Sequence, residues 1–273
     1  MAKKILITGA SGFIGGLLYK KLSGKDTAGV AFKISDQDKA SRIIDVDLRN
    51  GPAVKEMMEK YQPDVIYHFA ALVVPKINEE NPELAKQSHI EVTDNILKHM
   101  KKDAHIIFLS TDKVFDGKEI CPDEDSKPVP TSLYGKLKLE AENMIRNRAP
   151  KHHIFRLPIV HSNGDPRSTS FVDKSLIALK KGQSISAFTN IKRCYIKVEE
   201  LIELLVKSVD NQRYGIFHLG CDMASYFDRI VKMAIEQGIK TEGLLQKGQG
   251  SVEPPVQDLK REKVKKGFNI NFS

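Results

Sequence analysis

A hydroxyl, a phenol and an ammonium fall close together in the middle of this chain. Thr111 closes an apolar run ending at Leu109, and Tyr134 and Lys138 follow in Ser132-Leu133-Tyr134-Gly135-Lys136-Leu137-Lys138. Four residues of spacing puts the Tyr and the Lys on one face of a helix, one turn apart. A free phenol, with a pKa near ~10, is a weak acid-base group at neutral pH. A neighbouring ammonium favours the phenolate and lowers that value, while the Thr111 hydroxyl can share a substrate oxygen. Together these groups can move a proton to or from a carbonyl while a hydride moves elsewhere.

Such a set needs a cofactor and a frame to hold it. Near the N-terminus an apolar strand over 4–8 runs into Thr8-Gly9-Ala10-Ser11-Gly12-Phe13-Ile14-Gly15 and then a helical run to Leu22. Strand, glycine turn and helix is the context in which such glycines cradle a pyrophosphate. Gly9 permits the turn, Gly12 admits close backbone approach, and Gly15 lets helix and strand pack. A second strand near 29–34 ends where an adenosine ribose would sit. Counting from Gly15 puts Lys33 there, which points to NADP(H), whereas Asp36 slightly beyond points to NAD(H). Asp47, at the end of a strand over 43–48, either accepts from an adenine amino group or caps the next helix. The run over 63–71 ends in Phe69-Ala70-Ala71, small enough at its close for a flat cofactor to approach.

Further strands are expected at 105–109, 154–158, 185–188 and 215–219, with helices over 82–100, 134–142, 171–181, 198–209 and 225–236. Strands alternating with helices indicate an α/β chain with a Rossmann-type, doubly wound parallel sheet. The expected division is a dinucleotide-binding domain over 1–160, joined by later strands near 185–220, and a smaller C-terminal substrate-binding lobe over 161–273.

The bulk properties exclude several alternatives. The chain has 273 residues, 41% of them apolar and 29% charged, as expected of a globular chain. No run approaches the ~20 apolar residues of a membrane span, and no secretory core follows Met1-Ala2-Lys3-Lys4, so the expectation is cytoplasmic with no membrane partner. The net charge of +8 comes from dispersed lysines rather than a basic stripe, which argues against nucleic acid and leaves room for an anionic ligand. Three cysteines, widely spaced, show no metal-ligand pattern.

The glycine string with Tyr134-x-x-x-Lys138 resembles the extended short-chain dehydrogenases/reductases. Within them, Ser110-Thr111-Asp112-Lys113-Val114-Phe115-Asp116-Gly117 and Tyr134 to Glu140 resemble the dTDP-4-dehydrorhamnose reductases, as do Arg156 to Val160, Gly215 to Leu219 and Asp258-Leu259. The resemblance implies an NAD(P)H-dependent reductase of a nucleotide-activated 4-keto-6-deoxysugar, with a homodimer as one open assembly. Thr111 would polarise the substrate oxygen, Tyr134 would donate the proton, and Lys138 would lower the phenol's pKa and bind the nicotinamide ribose. Gly9, Ser11, Gly12, Phe13, Ile14, Lys33, Asp47, Leu48, Phe69, Ala70 and Ala71, with Tyr134 and Lys138, would line the cofactor. Thr111, Lys113, His161 and Arg193 would face the substrate, with Arg193 either on its phosphates or simply on the surface. The chain departs from the family at Lys113 and His161, where a Tyr is usual, and at His89, where an Asn is usual; this leaves the sugar open. Two other functions share the fold: a nucleotide-sugar epimerase or dehydratase, and a non-catalytic dinucleotide-binding regulatory subunit like the beta subunit of methionine adenosyltransferase.

Overall fold

Short runs of β-branched and apolar residues set the strands of this chain. In the computed structural model, which describes residues 2–32, 42–220, 223–251 and 256–270, they are β1 (Ile5–Thr8), β2 (Thr27–Ala31), β3 (Ile43–Asp45), β4 (Val65–His68), β5 (His105–Thr111), β6 (His152–Leu157), β7 (Ile159–His161), β8 (Ile185–Phe188), β9 (Lys192–Lys197), β10 (Gly215–His218), β11 (Met223–Ser225), β12 (Leu245–Gly248) and β13 (Val256–Gln257). The helices are α1 (Phe13–Lys21), α2 (Gly51–Tyr61), α3 (Pro75–Glu80), α4 (Pro82–Lys86), α5 (Val92–His99), α6 (Leu133–Arg148), α7 (Phe171–Lys180), α8 (Val198–Ser208), α9 (Tyr226–Glu236) and α10 (Glu262–Phe268).

Seven strands form one parallel sheet in the order β3-β2-β1-β4-β5-β6-β10. This is a Rossmann-type arrangement, in which order reverses between β1 and β4 and ligands sit at the carboxyl ends nearby. Every residue of β1, β4 and β5 is buried, as strands covered on both faces require. One face packs on α1, α8 and α10 through Leu18, Leu201, Leu204 and Phe268. The other packs on α2, α5 and α6 through Val54, Ile96 and Ile145.

Only part of the chain expected to return to this sheet does so. β10 pairs with β6, but β8 pairs with β12, and β9 lies at the centre of a separate small sheet with β7, β11 and β13. β8 buries only Ala187 fully, the one-sided pattern of a strand unfit for the middle of a two-faced sheet. α7 and α9 cover this lobe with their own apolar cluster, including Leu176, Tyr195 and Ile230.

The helix expected over 82–100 is interrupted. A π-helical turn at Gln87–Glu91 separates α4 from α5, and Thr93 Oγ1 of α5 donates back to the His89 carbonyl of that turn at 2.5 Å. Such turns distort the regular ladder and recur beside functional sites. α6 is longer than its expected 134–142. Ser132 Oγ accepts from the Gly135 amide at 3.1 Å as N-cap, and the Glu79 carboxylate accepts from the Leu133 amide at 2.7 Å.

Candidate functional site

The glycine turn between β1 and α1 is built for close approach. Gly9 has φ +69°, and a Cβ on Gly15 would lie 2.2 Å from the Gly9 carbonyl oxygen. At Gly12, by contrast, a Cβ would meet only the Gly9 oxygen at 3.2 Å. Gly12 is the N-cap of α1, with an extended backbone and no side-chain cap hydrogen bond, and Ser11 beside it is exposed. Phe13 and Ile14 open the helix, half-buried, so the first amides face outward where an anion is favoured.

A buried chain of hydrogen bonds sets the next wall. Thr8 Oγ1 accepts the amides of Phe69 and Ala70, each at 3.0 Å, leaving its proton for His68 Nδ1 at 3.2 Å. His68 Nε2 then carries the ring proton and faces Thr93 Oγ1 at 3.0 Å. Burial holds His68 neutral, pushing its pKa down to about 3. Phe69, Ala70 and Ala71 are thereby fixed at the carboxyl end of β4, with the Ala70 amide 3.0 Å from where a Gly9 Cβ would lie.

At the adenosine end, Lys33 and Asp36 lie outside the described residues. Asp47 does not cap α2; Asn50 does, its Oδ1 accepting from the Ala53 amide at 3.2 Å. The Asp47 carboxylate is instead forked by Arg49, with Nε at 2.9 Å and Nη2 at 2.7 Å, and that bond holds its pKa below the usual carboxylate range. Leu48 is buried in the core, its carbonyl accepting from Asn95 Nδ2 at 2.9 Å.

Thr111, Tyr134 and Lys138 come together at the carboxyl end of β5. Thr111 is its last residue, and its hydroxyl lies near enough to the Tyr134 phenol to favour the phenolate. Thr111 Oγ1 also donates to Asp112 Oδ1 at 3.1 Å and accepts from the Lys113 amide at 3.2 Å. α6 approaches closely because residue 135 has no side chain, since a Cβ there would lie 2.2 Å from the Lys113 carbonyl oxygen.

The electrostatics differ from the expectation that Lys138 lowers the phenol's pKa. Burial, then the charge of Asp112, pushes Tyr134 above its ordinary value, with Thr111 opposing. Lys138 is fully buried, and burial pulls it down to about 7 against the favourable pull of Glu142. Its Nζ donates to the Leu109 carbonyl at 2.7 Å and lies 4.3 Å from the centre of the Phe108 ring, rather than aiming its charge at the phenol. Beneath them, Glu142 forms a buried fork with Arg156, Nη2 to Oε2 at 2.7 Å, and accepts from Ser110 Oγ.

The substrate-side residues divide. Arg193 on β9 is buried, and its charge acts on Asp112 and Lys113, of which Asp112 in turn acts on Tyr134. Burial lowers the Lys113 pKa and raises that of Asp112. His161 stands apart in the second lobe, where its Nε2 accepts from Arg229 Nη2 at 2.8 Å. His89 meets the Tyr134 ring edge-on at 5.6 Å, and its Nε2 donates to Leu72 O and Asn78 Oδ1, each at 3.1 Å. Asp112, Tyr226, Arg229 and the Thr8–His68–Thr93 chain were absent from the expected set. Asp112 adjoins Thr111, and Tyr226 and Arg229 are three apart on one helix, which are the signals that could have found them.

Two clefts, of about 610 and 530 Å³, lie elsewhere. The larger is lined by Lys4, Val65 and His105, at the amino ends of the strands and opposite the candidate site. The constellation itself is buried at the carboxyl end of β5. Among the described residues no His, Cys, Asp and Glu group could hold a metal ion, and no helix is long and apolar enough to cross a membrane.

The RmlD substrate binding domain family matches residues 3–254. Methionine adenosyltransferase 2 subunit beta of Xenopus tropicalis is 32% identical over 171 residues, covering 62% of this chain and 51% of that one. dTDP-4-dehydrorhamnose reductase of Salmonella typhimurium is 29% identical over 188 residues, covering 68% and 60%. The chain thus spans about half the length of the first of these relatives. Among solved structures, dTDP-4-dehydrorhamnose reductase of Bacillus anthracis in complex with NADP has the same fold, with a TM-score of 0.85, 21% identity, and coverage of 98% of this chain and 94% of that one.

Proposed function

The chain belongs to the RmlD substrate binding domain family, and from that premise we propose that it is an NAD(P)H-dependent reductase of a nucleotide-activated 4-keto-6-deoxysugar. The observation that carries this reading is the meeting of Thr111, Tyr134 and Lys138 at the end of β5. A binding module has no use for a buried phenol with a hydroxyl partner and an adjacent lysine.

The residues fit a dinucleotide. A Cβ at Gly12 would meet little of the protein itself at the start of a helix with no side-chain cap, as expected where a pyrophosphate takes that space. When bound, NADP(H) or NAD(H) supplies the hydride; the Bacillus anthracis structure holds NADP. Phe69, Ala70 and Ala71 would line the nicotinamide side, with Asp47 and Leu48 toward the adenine. Residues 1–160 would carry this half of the reaction and 161–273 most of the substrate contacts.

Tyr134 donates a proton to the substrate oxygen as negative charge develops on it, and Thr111 hydrogen-bonds the same oxygen. A phenol held protonated by burial suits the acid role in the reduction direction. Lys138 positions the ribose and stays bonded to the Leu109 carbonyl, which keeps its amine beside β5. Lys113 and Arg193 present cations toward an anionic substrate. Incubating the protein with NADPH and a panel of nucleotide 4-keto-6-deoxysugars, while following the absorbance of the reduced cofactor, tests the reading. Oxidation with none of them, at protein concentrations that bind cofactor, overturns it.

A second reading, a non-catalytic dinucleotide-binding regulatory subunit, is favoured by the similarity to methionine adenosyltransferase 2 subunit beta. It shares cofactor binding with the first and differs by requiring no turnover. The panel separates them.

A further inference from the structure

Asn78 is completely buried on α3, whose other residues are exposed. Its amide is fully employed. Nδ2 donates to the Leu72 and Val74 carbonyls, each at 2.8 Å, and Oδ1 accepts from His89 Nε2 at 3.1 Å. The same His89 nitrogen lies 3.1 Å from the Leu72 carbonyl, so one N–H is shared between two oxygens. A carbonyl can only accept, which fixes a proton on Nε2, and burial holds the ring neutral. With six residues, α3 is too short to stand by itself. These bonds hold it, together with the Glu79 carboxylate that accepts from the Leu133 amide at 2.7 Å. A buried amide with both donors and its oxygen bonded selects one arrangement, where an apolar side chain would only fill space.

What that arrangement fixes is the candidate proton donor. The His89 ring, 2% exposed, meets the Tyr134 ring edge-on, with centroids 5.6 Å apart and planes at 71°. Its main chain is held too, because its carbonyl in the π-helical turn accepts the Thr93 hydroxyl. Tyr134 is the second residue of α6, and Glu79 of α3 bonds the first amide of that helix. The short helix therefore reaches Tyr134 by two routes, one through the imidazole and one through the start of α6. A phenol held at its ring and at its backbone keeps its hydroxyl in one place, and placement is what proton transfer demands.

We propose that Asn78 and His89 form a pin that positions the Tyr134 phenol for proton transfer, His89 against the ring and Asn78 orienting His89. This rests on the reductase reading and adds two positioning residues to its site, neither of which exchanges a proton with the substrate. His89 is a position at which the sequence departs from the family it resembles, and Asn78 supplies the acceptor that an imidazole there requires.

The test measures kcat and its solvent deuterium effect on a confirmed substrate, beside NADPH affinity by titration. Asn78→Ala leaves both rings in the chain and is expected to lower kcat about tenfold or more, since a misplacement of ~1 Å can cost about a hundredfold. NADPH affinity should hold, and the solvent deuterium effect should grow, because proton transfer is the step that slows. His89→Phe keeps a ring against the phenol, loses the bonds to Leu72 and Asn78, and should lower kcat similarly. As two parts of one device, the double variant should lose no more than the worse single one. Wild-type kcat in Asn78→Ala, losses that multiply in the double variant, or equal falls in kcat and NADPH affinity overturn the pin. A second measurement needs neither turnover nor the pin variants. With ring-labelled tyrosine, the NMR signal that Tyr134→Phe removes should show two distinct ring edges in the wild-type protein. A single averaged signal means a freely flipping ring and overturns the pin. Wild-type protein that oxidises NADPH with no sugar of the panel overturns the reductase reading instead, and the ring measurement still decides the pin.

Discussion

Lys138 Nζ lies 2.7 Å from the main-chain oxygen of Leu109, two residues before Thr111 on the same strand. That bond ties α6 to β5 from inside, so the phenol one helical turn earlier and the hydroxyl at the strand end keep a common register. The lysine is thus a tether as well as a charge.

Tyr134→Phe retains the ring and its packing but removes the acid. Turnover on a confirmed substrate should fall by roughly two or more orders of magnitude, with cofactor affinity nearly unchanged. Lys138→Met should damage both turnover and cofactor binding. It also leaves the buried Leu109 carbonyl unpaired, which costs about 1–3 kcal/mol in principle. Steady-state kinetics beside cofactor titration checks both, and a Tyr134→Phe variant with wild-type turnover removes Tyr134 from the mechanism.

Gly12 and Gly15 should fail differently. Gly12→Val is expected to fold and to lose dinucleotide affinity, since its Cβ meets the protein only at 3.2 Å. Gly15→Val drives carbon into the Gly9 carbonyl, where even a Cβ would stand at 2.2 Å, and should lower the thermal midpoint whether or not cofactor is present. A folded Gly12→Val variant with unchanged affinity contradicts the cradle.

Charge reversal two positions after β2 in the sequence tests cofactor choice. Lys33→Glu should lower affinity for NADP more than for NAD, because only the former carries the extra phosphate. Equal losses would take Lys33 out of the site and leave Asp36 to favour NAD.

The chain should be acid-sensitive. His68, His89, His105 and His218 are pushed down to about 3, and His153 and His161 to about 4, in each case chiefly by burial. Below an unfolded value near ~6.5 the unfolded chain takes up protons that the folded chain refuses, so stability falls as pH falls from there toward 4. Thermal midpoints from pH 7 to 4, read at about half-unit steps, should decline steeply. His105→Gln should flatten the slope, and a flat wild-type profile would contradict the buried neutral state.

Glu142→Ala leaves the Arg156 guanidinium buried and uncompensated, with side-chain exposures of 2% and 0% for the pair. Breaking such a pair from one side typically costs about 3–5 kcal/mol, visible in urea denaturation. Because Arg156 also contacts His218 Nε2 at 3.2 Å, and His218 Nδ1 faces the Pro122 carbonyl at 3.1 Å, the loop before α6 should loosen too. Faster proteolysis there is the second readout.

Much of the N-terminal half was legible because its signals are local. The glycine spacing dictates its own turn, and the Tyr134–Lys138 spacing needs only a helix. The parallel sheet follows from alternating strands and helices. What escaped depends on distance in sequence. Arg229 meets His161 across 68 positions, and Ile185–Phe188 finds β12 rather than the main sheet through partners that no local pattern names. The π-helical turn, beside which the Thr93 hydroxyl bonds the His89 carbonyl, breaks a pattern that periodicity reads as one helix. Lys138 misled for a physical reason: a four-residue spacing reports adjacency, whereas the pKa values of both groups are governed by burial.

Gly135 has a bearing on how mutational data on this protein should be read. With the Lys113 carbonyl 2.2 Å from its missing Cβ, any side chain at this position wedges the helix away from the strand end. A saturation screen scored on activity would therefore rank position 135 beside Tyr134 in intolerance, even for alanine. Sensitivity there measures clearance rather than chemistry, and a variant library meant to alter substrate preference gains nothing by sampling it.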